Sequence, residues 1–250
     1  MSHARAYAGI VLAALLPQAL PAQTTVTVRV VAHDAKIIGS GVGGATVIIR
    51  NAVTGEVLAQ GAQQGGTGDT RRIMEEPRAR GATVFESQGA AGFTATVALD
   101  TPTVVEVVAE GPRNYPQAMQ RASTTLLLVP GQDVPGDGVV LELHGFIVEL
   151  LEPQQARAAD SLPIRARIRM MCGCPFTTGG LWDAGRMAVV ARVYDGATVV
   201  REVPLRFTGE ENIWGGALPA AALPTGARLA VIAADAERAN FGRSDERVVF

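Results

Sequence analysis

The chain has 250 residues, 48% of them hydrophobic, and a formal net charge of −2, with 22 basic residues against 24 acidic ones. That balance gives no long-range attraction for nucleic acid or an anionic membrane, and the apolar share suffices for one large or two average domains. Two cysteines and three histidines leave little material for a structural zinc cluster or a histidine-based triad.

The first 22 residues are punctuated as a signal peptide: Arg5, an apolar run from Tyr7 to Leu16, Pro17, and a small-residue exit at Leu20-Pro21-Ala22. The run is shorter than a bilayer span requires, and no second one follows, so the expectation is a periplasmic or secreted protein without a membrane span after cleavage. Beyond it, period-2 alternation bounded by Gly, Pro and Asp recurs throughout, whereas apolar residues at helical spacing do not persist. The predicted fold class is all-β, as two tandem β-sandwich domains of immunoglobulin-like or transthyretin-like type over residues 23–144 and 145–250.

In the first domain strands are predicted near Thr25 to Ala32, Ala45 to Arg50, Val57 to Gly61, Phe93 to Leu99, Val104 to Glu110, Ser123 to Val129 and Val139 to Leu143. Gly44-Ala45-Thr46-Val47, Thr54-Gly55, and Gly92-Phe93 running into "TATVALDTPTVVEVVAEG" resemble the carboxypeptidase regulatory-like, transthyretin-type sandwich over residues 24 to 111. The resemblance implies a non-catalytic accessory or binding module. Residues 65–91 form an excursion outside that pattern. Loops of this length in compact domains are usually either disordered or functional, and Ile73, Met74 and Phe85 are its candidate anchors for a partner.

The second domain predicts strands near Phe146 to Leu151, Pro163 to Met171, Met187 to Tyr194, Thr198 to Phe207 with a break at Pro204, Asn212 to Gly216, Arg228 to Ala234 and Glu246 to Phe250. A polar stretch, Glu152 to Asp160, separates the first two. Asp235 followed by the turn Asn240-Phe241-Gly242-Arg243-Ser244 and a last strand is similar to the closing hairpin of bacterial immunoglobulin-like domains. That topology puts the loop Cys172 to Gly185 at one end of the sandwich with the loop Ala236 to Arg243. Phe176, Trp182 and Phe241 then gather beside the cysteines as a second set of candidate partner-binding residues, unless Trp182 plugs the core.

"RMMCGCPFTTGGLW" carries both cysteines. Strand alternation places Ile164, Ala166, Ile168 and Met170 on the core face, and Arg165, Arg167, Arg169 and Met171 on the other, where Glu149 or Glu202 could neutralise the arginines. Cys172 and Cys174 fall where the strand becomes loop. In an exported chain two cysteines usually pair, and Gly173 can supply the turn that brings them together. The competing reading is a soft-metal site, Cu(I) in particular, on Cys172, Cys174, Met170 and Met171, since thiolates and thioethers suit that ion. His33 and His144 sit at strand ends, where hydrogen-bonded structural histidines are the ordinary case and a metal ligand the other reading.

No nucleophile elbow, P-loop or dinucleotide fingerprint is present. The expectation is therefore a protein with no catalytic residues and no cofactor, which binds another protein or a surface polymer through sandwich loops. The alternative is a periplasmic copper-binding or thiol redox module.

Overall fold

The computed structural model describes residues 22–152, 161–219 and 223–248. The expected signal peptide lies outside them except for Ala22, as do residues 153–160 of the polar stretch and the end of the last predicted strand.

Seven strands build the first half: β1 (Ala22–Ala32), β2 (Ala45–Asn51), β3 (Val57–Gln63), β4 (Phe93–Leu99), β5 (Thr103–Gly111), β6 (Gln120–Leu128) and β7 (Val134–Leu143). They form two sheets, ordered β4-β1-β7 and β3-β2-β5-β6, with β1 and β7 parallel and the other pairs antiparallel. Alternation places Val26, Val28 and Val30 of β1, Val47 and Ile49 of β2, and Val105 and Val107 of β5 in the core between them. β7 starts five residues earlier than its sequence reads, at Val134 rather than Val139. Gly136 and Gly138, at φ 69° and 68°, let the strand bulge and rejoin β1, and a Cβ at Gly138 would collide with the Thr27 carbonyl.

The excursion is ordered and packed. Isolated bridges Gln64↔Gly92 and Gly66↔Ala90 close its base, and a short helix, α1 (Thr70–Met74), begins at Asp69, whose carboxylate accepts from the Arg72 amide. Ile73, Val84 and Phe85 pack with Val31, Ile37 and Ala91 into a small satellite core. The Asp137 carboxylate, carried on the β7 bulge, accepts from the backbone amides of Val84, Phe85 and Glu86 at 2.6, 2.7 and 2.8 Å. Ile73 and Phe85 are therefore not free anchors: they fasten the excursion to β1, and only Met74 of the three stays partly accessible.

Among the described residues eight strands build the second half: β8 (Phe146–Glu152), β9 (Ser161–Met170), β10 (Ala188–Asp195), β11 (Thr198–Phe207), β12 (Ile213–Pro219), β13 (Arg228–Asp235), β14 (Asn240–Arg243) and β15 (Arg247–Val248). Their order is β14-β13-β10-β11-β12-β9-β8, with β15 also on β13. β11 pairs with β10 along its length but with β12 only at Arg206↔Gly215 and Phe207↔Trp214. The sheet folds over at that crossing, and β8 returns against β13 and β14.

Two local expectations change. β11 runs through Pro204, which pairs with Val190 on one side and precedes the β12 pairing on the other, so its missing N–H need not interrupt a ladder. Asn240 to Arg243, expected as a turn, is strand β14. Gly242 lies so close to the Phe146 backbone that a Cβ there would stand 2.7 Å from its carbonyl oxygen, a contact only glycine permits. The left-handed turn just before it is made by Ala239, at φ 50°.

One apolar cluster runs through both halves, from Val26 of β1 to Ala233 of β13. Arg169 joins them on one flank: it donates to the Tyr115 hydroxyl at 2.7 Å and to Glu149 at 2.8 Å, with its guanidinium over the Tyr115 ring. Burial lowers its proton affinity, but Tyr115 and Glu149 together leave it raised. Arg165 pairs with Glu210 rather than with a cross-strand acid, and Glu202 pairs with Arg192. Among the described residues no helix is long and apolar enough to cross a membrane.

Candidate functional site

The excursion and the loop Ala236 to Arg243 meet the ends of β1 and β7 at a groove of about 870 Å³ between the two halves. One wall is the turn after β1, His33 to Ala35; a second is the end of β7, with Val140, Glu142 and His144; a third is the excursion, through Met74, Arg78 and Phe85. Glu237, Arg238 and Ala239, between β13 and β14, complete it from the second half.

Strand register creates its floor. β1 and β7 run parallel with Val31 opposite Glu142 and Ala32 opposite Leu143, and the His33 amide donates to the Leu143 carbonyl at 2.9 Å. His33 therefore stacks on His144, with ring centroids 3.8 Å apart and planes inclined by 17°. Nδ1 of His33 lies 2.8 Å from Oε1 of Glu142, and Nε2 lies 2.9 Å from the Arg238 carbonyl oxygen. A carbonyl only accepts, so Nε2 carries a proton.

Asp34 organises the remainder. Held at φ 49°, it accepts on its carbonyl from Trp182 Nε1 at 3.0 Å and pairs its carboxylate with Arg238 at 2.6 Å. Arg238 also meets Asp235 at 2.9 Å, and the hydrogen bond to Asp235, with the charge of Asp34, raises its already high proton affinity. Arg186, just past the loop Cys172 to Gly185, reaches Glu237 at 3.2 Å and ties the end of that loop to the turn before β14. Trp182 is half-buried against the core and bonded across the junction, so it closes the sandwich end and joins the halves. Arg78 lies over the Phe85 ring at 5.4 Å, which leaves its charge on the groove rim.

The cysteine turn is separate from this groove. β9 ends at Met170, Gly173 at φ 83° donates its amide to the Met170 carbonyl at 2.8 Å, and Cys172 and Cys174 are joined as a disulfide with Cα atoms 5.4 Å apart. Both are buried, at 4% and 6% exposure, which denies a thiolate the approach that exchange requires. In this form neither sulfur is a thiolate, so a Cu(I) set of Cys172, Cys174, Met170 and Met171 exists only in the reduced chain. Met170 is in the core as expected. Met171, expected at the surface, is fully buried: β9 ends at Met170, so Met171 lies in the following turn, outside strand alternation, with its Sδ 3.0 Å from where a Cβ on Gly145 would stand. A thiol titration of unfolded protein without reductant should find none, and two per chain after reduction; two before reduction would contradict the disulfide.

Phe176 is buried, edge-on to Phe146 and Trp214, and so cannot serve as a docking residue. Phe241 is 55% exposed and lines a separate recess with Gln117 and Gly145. Asp34, Glu142 and Arg238 were not marked by the sequence: each is an ordinary surface residue type, and only the fold brings them together.

No family model matches the chain, and no match is found among curated proteins. Among solved structures it is similar to a marsupial T cell receptor, with 8% identity and a TM-score of 0.27 over 92% of this chain and 70% of the receptor chain. It is also similar to the major pilin of Streptococcus pyogenes, with 9% identity and a TM-score of 0.20 over 92% of this chain and 94% of the pilin. At these scores neither likeness says what this chain binds.

Proposed function

We propose that this chain is an exported, non-catalytic binding or scaffold protein that holds a protein segment or surface polymer in the groove between its two halves. The observation that carries the reading is the convergence of three separate loops, each anchored to a sandwich, on one concavity with charged and apolar walls. The ionisable groups on that floor are largely engaged with one another: His33 with Glu142 and the Arg238 carbonyl, Arg238 with Asp34 and Asp235. Such pairing favours a rigid recognition surface over proton transfer. The sequence features that resemble a signal peptide and a carboxypeptidase regulatory-like module support export and an accessory role.

Deleting residues 67 to 91 is not a clean test, because it would uncover Val31 and Ile37. A photo-crosslinking residue at Val140, which is 39% exposed in the groove, is preferable, with one at Val53, 87% exposed in the β2–β3 turn, as control. In the native cell envelope, position 140 should capture the partner and position 53 should not, and Arg78→Ala should weaken the capture while costing about 1 kcal/mol of stability through its lost contacts with the Phe85 ring and the Ile73 carbonyl. Equal capture at both positions would remove the groove from consideration.

A further inference from the structure

We propose that His33, Glu142 and His144 form a binding site for one divalent cation of the zinc type on the groove floor. Alternation at the end of β7 puts Glu142 and His144 on one face, and the parallel register with β1 delivers His33 to the same place. One donor atom from each of the three lies within 4.8 Å of the others. Two imidazoles and a carboxylate are a ligand set that suits zinc and leaves a coordination position open to solvent or to a bound partner.

The outer contacts are those that a ligating imidazole needs. His33 Nε2–H donates to the Arg238 carbonyl at 2.9 Å, which fixes the ring and commits Nδ1 to the Glu142 side. There, Nδ1 and Oε1 stand 2.8 Å apart, two lone-pair donors that require a proton or a cation between them. Binding replaces that proton, which leaves to solvent. Of the two guanidinium groups on the groove, Arg238 is held by Asp34 and Asp235, and Arg78 lies over the Phe85 ring on the rim. The stacked rings cannot both point a lone pair at one ion, since an ion in the plane of His33 lies off the plane of His144. His144 must turn to bind. It is exposed and precedes Gly145, which carries no side chain to stand in its way. Loading the site therefore breaks the stack and joins the β7 end, the turn after β1 and, through the Arg238 carbonyl, the second half.

This inference does not depend on the groove having a macromolecular partner, because it is read on the isolated chain. Isothermal titration of the untagged chain with Zn2+ should give one ion per chain. Glu142→Gln and His144→Ala should each weaken binding at least tenfold, whereas Cys172→Ser with Cys174→Ser should not. Co2+ in place of zinc should show ligand-field bands with no thiolate charge-transfer band, and the His144 ring resonances should shift on loading. Thermal melts establish that each variant is folded. Absence of binding tighter than about 1 mM by the wild-type chain would overturn the proposal, as would affinity unchanged in both Glu142→Gln and His144→Ala.

Discussion

Replacing Trp214 with alanine is expected to destabilise the protein by about 3–5 kcal/mol and to lower its Tm by roughly 10 °C. Trp214 is 2% exposed and sits on β12 where β11 crosses between partners. Its ring is edge-on to Phe207 of β11 at 5.1 Å and to Phe176 of the disulfide loop at 5.7 Å, and Phe176 continues to Phe146 of β8 at 5.8 Å. One indole thus fills the space between β11, β12 and the disulfide loop, where the β11–β12 ladder is only two pairs long. Alanine leaves a cavity that the crossing strands cannot close without breaking the Arg206↔Gly215 and Phe207↔Trp214 pairs. Because the apolar cluster is continuous across the halves, the melt should remain a single transition that moves as a whole. Trp182→Phe is the control: it loses one hydrogen bond to the Asp34 carbonyl and should cost about 1 kcal/mol. A Trp214→Ala chain as stable as the control, or a melt in which only half of the signal moves, would show that the ring does not join a common core.

Gln63→Leu is expected to cost about 3 kcal/mol although it replaces a polar side chain in the core with an apolar one of similar size. Gln63 ends β3 with no exposed surface and reaches from its sheet to the other. Its Oε1 accepts from the Val30 amide at 2.7 Å, and its Nε2 donates to the Val30 and Ile38 carbonyls at 2.8 and 2.9 Å. The Val30 carbonyl keeps a second donor, the Ile38 amide, but the Val30 amide and the Ile38 carbonyl are left with no partner. Two orphaned backbone groups at ~1–3 kcal/mol each outweigh what leucine gains by burial. Urea denaturation should show a lower midpoint at unchanged slope, and the Val30 amide should exchange faster with solvent. A variant within roughly 0.5 kcal/mol of wild type would mean that water or a neighbouring group satisfies both atoms.

Gln63 also illustrates what sequence patterning misses. In "AQGAQQGG" a glutamine reads as surface, and the strand reads as ending at Gly61, since nothing local shows that a backbone amide of another sheet awaits it. β14 was hidden for a related reason: Asn240 and Gly242 carry turn chemistry, yet Asn240 accepts the Gly145 amide and Gly242 admits the Phe146 backbone. Alternation reads Met171 as an outward residue, but the strand ends at Met170 and the turn that follows buries it. Ile73 and Phe85 had the composition of exposed anchors and became the excursion's own core.

What the sequence by itself determined was the class of every strand but β14 and the inward row Ile164 to Met170, because each depends on the local alternation of apolar residues. What only the tertiary structure decided was the groove. His33 and His144 are far apart in the chain and meet through a parallel register, and Arg238 joins them from the other half. Such contacts are set by how sheets pair and pack, which no short window of residues encodes.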